Sequence, residues 1–187
     1  MRIVRGKYKG HRVNSKIPTA IRPTADSVRE TIFNILNNYI DMEDIVCADV
    51  CAGTGFLGFE ALSRGAEHCL FFEKNRKSAE MIRKNAEIIR IPKNDFTLSF
   101  GDAHKTLKRF SENDPDKQFD LIFFDPPYAS MISNSIIEVI TSNNLLNPNG
   151  ILIAEHSEKE SILLPENYEL LKSRKFGDTI VDFIGIV

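Results

Sequence analysis

Long apolar runs, a cysteine framework and internal repeats are all missing from this 187-residue chain. No stretch approaches the roughly 20 apolar residues of a membrane span. The opening Met1-Arg2-Ile3-Val4-Arg5-Gly6-Lys7 lacks the apolar core of a signal peptide. A cytoplasmic protein with no membrane partner is therefore expected. Cys47, Cys51 and Cys69 form neither an even set nor a CxxC pair, which argues against a disulfide-stapled fold. All three lie in apolar segments and read as small buried hydrophobes in a reducing compartment. No metal is expected, and the chain reads as a monomer.

What is present is an ordinary globular composition, 42% hydrophobic and 27% charged, long enough for one domain with a sizeable core. The net charge of -2 conceals an asymmetry. Residues 1–29 carry eight Lys/Arg against Asp26, a balance of +7, and the remainder carries 16 basic and 25 acidic residues, a balance of -9. A basic arm on an acidic body suggests a polyanionic partner. Ile3, Val4, Tyr8 and Val13 alternate with the charges as in a half-buried hairpin, with Lys9-Gly10 near the turn. Of the basic residues in 1–16, none of Arg2, Arg5, Lys7, Lys9, Arg12 and Lys16 is expected to be needed for a ligand pocket in the body.

After a loop through Pro18 and Pro23, Thr24 is a plausible cap for a helix from about Ala25 to Tyr39. Strands and helices then alternate. Strands are expected at Ile45–Cys51, His68–Glu73, Phe96–Phe100, Phe119–Asp125 and Ile151–Glu155, the last after a Pro148-Asn149-Gly150 turn. Helices are expected at Phe56–Arg64, Arg76–Ile89, Ala103–Phe110 and Ile132–Ser142. Alternation of this kind predicts a parallel sheet covered on both faces. Tyr168–Lys175 and Thr179–Val187 have nothing helical between them and should close it as an antiparallel hairpin. The fold class is α/β, a Rossmann-like seven-stranded sheet carrying a basic N-terminal hairpin. Residues 1–24 form the extension and 25–187 the domain.

Asp125-Pro126-Pro127-Tyr128 ends the fourth strand. Proline has no amide donor and fixes φ, so the chain leaves the sheet there as a rigid rim. The rim offers a carboxylate, backbone carbonyls and an aromatic face. An exocyclic amine can donate to the acceptors while its base stacks on the ring. Earlier, Asp49-Val50-Cys51-Ala52-Gly53-Thr54-Gly55-Phe56-Leu57-Gly58 follows the first strand and opens a helix, and Glu73 lies twenty residues after Gly53. Taken literally this is a dinucleotide fingerprint. Asp49 beside the loop would repel a pyrophosphate, yet it favours the ammonium and sulfonium of S-adenosylmethionine. Glu73 can hold a ribose diol in either cofactor. Asp102 in Gly101-Asp102-Ala103 can accept from an adenine amino group or cap a helix. Four strand ends thus present Asp49, Glu73, Asp102 and Asp125 at one carboxyl edge, where open α/β sheets bind ligands.

In this order, the glycine loop, Glu73, Gly101-Asp102-Ala103 and the DPPY tetrapeptide resemble those of class I S-adenosylmethionine-dependent amino-methyltransferases. The segment Arg22-Pro23-Thr24-Ala25-Asp26-Ser27-Val28-Arg29-Glu30-Thr31-Ile32-Phe33-Asn34 narrows the match to the RsmD type, as does Glu60-Ala61-Leu62-Ser63-Arg64-Gly65-Ala66. The resemblance spans essentially the whole chain. It departs from the family's pattern at the glycine loop, more often DLFAGSGALG, and at Ser27. It implies methylation of the exocyclic N2 of one guanine in bacterial 16S ribosomal RNA, within an assembled or partly assembled small subunit. It also implies that Asp49, Ala52, Gly53, Thr54, Gly55, Gly58, Glu73, Lys74, Asp102, Ala103 and Asp125 line the S-adenosylmethionine site.

On this reading Asp125 and the Pro126 carbonyl accept the two amine N–H groups and Tyr128 stacks on the base. Arg5, Lys7, Lys9, Arg12, Arg22 and Arg29 are the phosphate-contact candidates, although Arg29 can equally pair within the fold. Three other readings stay open: an amino-methyltransferase acting on adenine N6 or cytosine N4, a nicotinamide-dependent oxidoreductase, and a non-catalytic RNA-binding module.

Overall fold

The computed structural model describes residues 2–12, 26–127 and 132–187. Among them, seven strands form one sheet in the order β3-β2-β1-β4-β5-β7-β6. In chain order the elements are α1 (Asp26–Leu36), β1 (Val46–Val50), α2 (Phe56–Arg64), β2 (His68–Glu73) and α3 (Arg76–Ile89). There follow β3 (Phe96–Phe100), α4 (Ala103–Asn113), β4 (Phe119–Phe124), α5 (Ser133–Ser142), β5 (Leu146–Ser157), β6 (Tyr168–Phe176) and β7 (Thr179–Ile186). Strands β1 to β5 are parallel, and β7 runs antiparallel to both β5 and β6. The order reverses at β1, which pairs β2 on one side and β4 on the other. The crevice beside such a reversal is where doubly wound sheets hold ligands.

Side-chain alternation divides the core in two. Cys47, Cys69, Phe71, Leu121, Phe123, Ile151 and Ile153 face one way and pack under α1, α2 and α3 through Phe33, Phe59 and Ile82. Ala48, Val50, Phe72, Ile122, Phe124, Leu152 and Ala154 face the other way and pack under α4 and α5 through Leu107, Ile136 and Ile140. The central strands β1, β2 and β4 are largely apolar on both faces because both are covered, whereas the edge strand β3 leaves Thr97 and Phe100 exposed. Helix α2 lies close on β2 because residue 58 is glycine. A Cβ there would stand 2.4 Å from the Phe71 ring and 2.6 Å from the Cys69 sulfur.

Strand β5 differs from expectation. Residues 148–150 do not end a turn before the strand; they bulge within it. Phe119 pairs Leu146 and Leu121 pairs Ile151, so β5 spends extra residues where β4 spends two. Asp120 stabilises the irregularity, accepting the Val46 N–H and the Asn147 amide, each at 2.9 Å. Helix α1 stops at Leu36 and continues only as turns through Tyr39.

Among the described residues, the basic arm folds back with one antiparallel bridge, Arg2 to Arg12. Its wide turn is docked on α2 rather than standing apart. The buried Glu60 carboxylate accepts the Val4 and Arg5 amides at 2.8 and 3.1 Å. The Ser63 hydroxyl accepts the Tyr8 amide, and the Ser63 carbonyl the Lys7 amide at 2.7 Å. Gly6, with φ of 83°, allows this approach: a Cβ would collide with the Ser63 carbonyl. Ile3 and Tyr8 join the α1–α3 core. The expected boundary at residue 24 falls outside the described residues.

Candidate active site

The carboxyl edge is built by the segments that follow β1, β2, β3 and β4. After β1, Cys51 adopts a positive φ of 63° and the chain wraps through Gly53 and Gly55, also at positive φ, into α2. Such a loop needs partners for its amides, and three side chains supply or brace them. Glu73, 7% exposed, accepts the Gly53 N–H at 2.7 Å through one carboxylate oxygen and the Asn75 N–H at 2.6 Å through the other. Asp49, 2% exposed, accepts the Gly58 N–H at 3.0 Å. The buried Asn85 of α3 donates to the Thr54 carbonyl at 3.1 Å. Asn75 caps α3, accepting the Lys77 and Ser78 amides.

Burial pushes Asp49 up to about 7; the Gly58 amide opposes this and the Glu73 charge adds to it. Burial likewise pushes the Cys51 thiol up to about 12, reinforced by Glu73, Asp125 and Asp49 and opposed by Lys74. Asp49, Glu73, Lys74 and Asp125 all act electrostatically on this one half-buried cysteine. At neutral pH that cysteine is a thiol, not a nucleophile.

Asp125 remains attached to the sheet, its N–H reaching the Val50 carbonyl at 3.4 Å. Its side chain is half-buried, Pro126 is buried and Pro127 exposed. Tyr128, expected to stack on a base, lies outside the described residues, as does Arg22. Asp102 sits after the end of β3, the strand beside β2, as the exposed N-cap of α4, accepting the Lys105 N–H at 3.3 Å. The Gly101 amide, bonded to the Glu73 carbonyl at 3.0 Å, keeps the β2 and β3 ends together. Ala103 is buried behind Asp102, and Ala52 and Thr54 are half-buried in the loop.

The basic candidates divide. Arg5, Lys7, Lys9 and Arg12 are exposed on the arm. Arg29 is not a phosphate contact: it is fully buried, its guanidinium 3.9 Å from the Phe56 ring centre and 3.5 Å from the Arg2 carbonyl. It packs α1 and the arm against the start of α2. A cleft of about 510 Å³ lies between the arm and the α1–β1 connection, bordered by Arg5, Gly6, Asp41 and Arg64, away from the acids.

Sequence reasoning missed Glu60, Ser63 and Asn85 as structural polar groups. Each is buried in a helix and answers a loop distant in the chain, a relation with no local signal. It also missed the pair His156 and Asp182, whose Nε2 and Oδ2 stand 3.0 Å apart. Burial alone would lower the His156 pKa, but Asp182 and the Ser157 carbonyl outweigh it and hold it above its ordinary value.

The sequence model of the family described as "Conserved hypothetical protein 95" matches residues 1–185, nearly the whole chain. The chain belongs to this family, the RsmD family. It is similar to "Ribosomal RNA small subunit methyltransferase D" of Haemophilus influenzae, 33% identical over 177 residues that cover 95% of this chain and 89% of that protein. The protein of the same name in Escherichia coli K12 is 30% identical over 181 residues, 95% of this chain and 85% of that one. The solved structure of Escherichia coli yhhF superposes with a TM-score of 0.82 at 25% identity, covering 100% of this chain and 97% of that one. A structure of SMU.776 complexed with SAH shares the fold, with a TM-score of 0.73 at 14% identity over 92% of this chain and 52% of that one. Among the described residues, no helix is long and apolar enough to cross a membrane.

Proposed function

We propose that this RsmD-family protein transfers a methyl group from S-adenosylmethionine to the exocyclic N2 of a guanine in 16S ribosomal RNA, in an assembled or partly assembled small subunit. The observation that carries the cofactor reading is the bonding of the glycine loop. In a dinucleotide site the loop amides face a pyrophosphate. Here the Gly53 and Gly58 amides meet the carboxylates of Glu73 and Asp49 instead. Two acids at those amides are repulsive to phosphate and favourable to a cation. The relatives' names supply the RNA, and the exposed cations of the arm suit a phosphate backbone.

S-adenosylmethionine, when bound, supplies a methyl group already activated on a sulfonium, so positioning is the main task left to the protein. Glu73 holds the ribose hydroxyls with lone pairs not used on Gly53 and Asn75, and Asp49 faces the cationic end. Asp102 accepts from the adenine amine. Asp125 and the Pro126 carbonyl accept the two N–H bonds of the substrate amine, turning its nitrogen lone pair toward the methyl carbon. Tyr128 stacks on the flipped-out base. The proton released from nitrogen passes to Asp125 or to water.

The test is transfer of tritiated methyl to small subunits lacking the modification, followed by nucleoside analysis. Label in N2-methylguanosine is expected. Label in N6-methyladenosine or N4-methylcytidine would contradict the proposal.

A further inference from the structure

Strand β5 delivers one more carboxylate to this edge. Phe124 and Ala154 are the last partners in the parallel β4–β5 register. Asp125 and Glu155 are therefore the next residues on adjacent strands, separated by about the 4.8 Å strand spacing. Alternation places both on the same face of the sheet: Leu121 and Phe123 precede Asp125 in the α1–α3 core, as Ile151 and Ile153 precede Glu155. Glu155 is 8% exposed, and its partner on β7 is the fully buried Val181. Glu155 thus sits deep, at the strand position next to the acid proposed to meet the substrate amine.

Two neighbouring carboxylates form a pair of acceptors, and their complement is a pair of neighbouring donors. Guanine carries such a pair, N1–H beside N2–H₂. Adenine and cytosine instead place a ring acceptor, N1 or N3, next to their amine. We propose that Glu155 is the residue that selects guanine, accepting N1–H while Asp125 accepts N2–H of the same base. This rests on the base-methylation reading above. With adenine, the N1 lone pair would face the Glu155 carboxylate, acceptor against acceptor. Sites built around such a hydrogen bond reject analogues lacking it by factors of about 10⁴ to 10⁵. Glu155 thus separates the guanine reading from the adenine and cytosine readings, which the DPPY rim alone does not.

The test replaces the target guanosine with 2-aminopurine riboside, which keeps the amine but has an acceptor at N1. The guanosine methylated by the wild type is first mapped by tritium labelling, and 2-aminopurine is then ligated into that position of the RNA before subunit reconstitution. If no guanosine is labelled, the base-methylation reading falls and this inference with it. Given a mapped guanosine, the wild type should prefer it to 2-aminopurine by at least about 100-fold in kcat/KM. In Glu155→Gln the side-chain amide can donate to N1 of 2-aminopurine, so the preference should shrink at least about tenfold. Calorimetry with S-adenosylhomocysteine verifies that the variant is folded. An unchanged preference in Glu155→Gln overturns the assignment. So does a wild type indifferent between the two bases, an arm that stands whether or not the variant folds. Either result leaves the methyltransferase reading intact.

Discussion

Glu73 and Gly53 are joined by a 2.7 Å hydrogen bond, so the residue proposed to hold the ribose also shapes the loop beneath it. Its other oxygen takes the Asn75 amide and thereby sets the start of α3. Glu73→Ala should weaken S-adenosylhomocysteine binding about tenfold to a hundredfold, as expected when a charge-assisted hydrogen bond is removed. Glu73→Gln keeps one acceptor oxygen and should fall between alanine and wild type. Titration calorimetry checks the order; equal affinity in all three would remove Glu73 from the site.

Asp49 gives a pH signature. Its pKa is raised by burial from 3.8 to about 7. A carboxyl group raised on folding binds more protons in the native than in the unfolded state between these values. Its contribution to stability is therefore fully present below about pH 4 and is lost as pH rises toward 7. Asp49→Asn retains an acceptor for Gly58 without titrating, so melting temperature against pH should be flatter for this variant than for wild type between pH 4 and 7. Identical curves would mean that Asp49 is ionised throughout.

The arm calls for separating charge from architecture. Removing it would strip the Val4 and Arg5 amides from buried Glu60, so truncation should destabilise the fold and does not isolate RNA binding. Replacing exposed Lys7, Lys9 and Arg12 together by alanine leaves those amides in place. The triple variant should keep its melting temperature while the slope of log affinity against log salt flattens by about 0.7–0.9 for each phosphate no longer neutralised. Parallel slopes for variant and wild type would move the RNA surface elsewhere.

The sequence carries some of this structure plainly. Phe56–Arg64, His68–Glu73, Arg76–Ile89 and Phe96–Phe100 fold with the expected ends, because periodicity and turn residues are local. Asp49, Glu73 and Asp125 converge because strand ends of a parallel sheet share one edge. Arg29 reads equally as a phosphate contact or as a partner within the fold, and it is buried over Phe56; whether an arginine faces water depends on the partner helix, not its neighbours in sequence. Pro148-Asn149-Gly150 reads as a turn and becomes a bulge because Asp120, some 27 residues away, bonds Asn147. Glu60 sits in a helix of ordinary pattern, and its amide partners are 55 and 56 residues away.

The central claim is a division of labour at one edge: Asp49 and Glu73 serve the cofactor, and Asp125 serves the acceptor amine. Asp125→Ala, measured both by S-adenosylhomocysteine calorimetry and by tritiated methyl transfer to small subunits, tests it most directly. Cofactor affinity should stay close to wild type and transfer should fall at least about 100-fold, with partial recovery in Asp125→Asn, which retains one acceptor. Near-normal transfer by Asp125→Ala would contradict it.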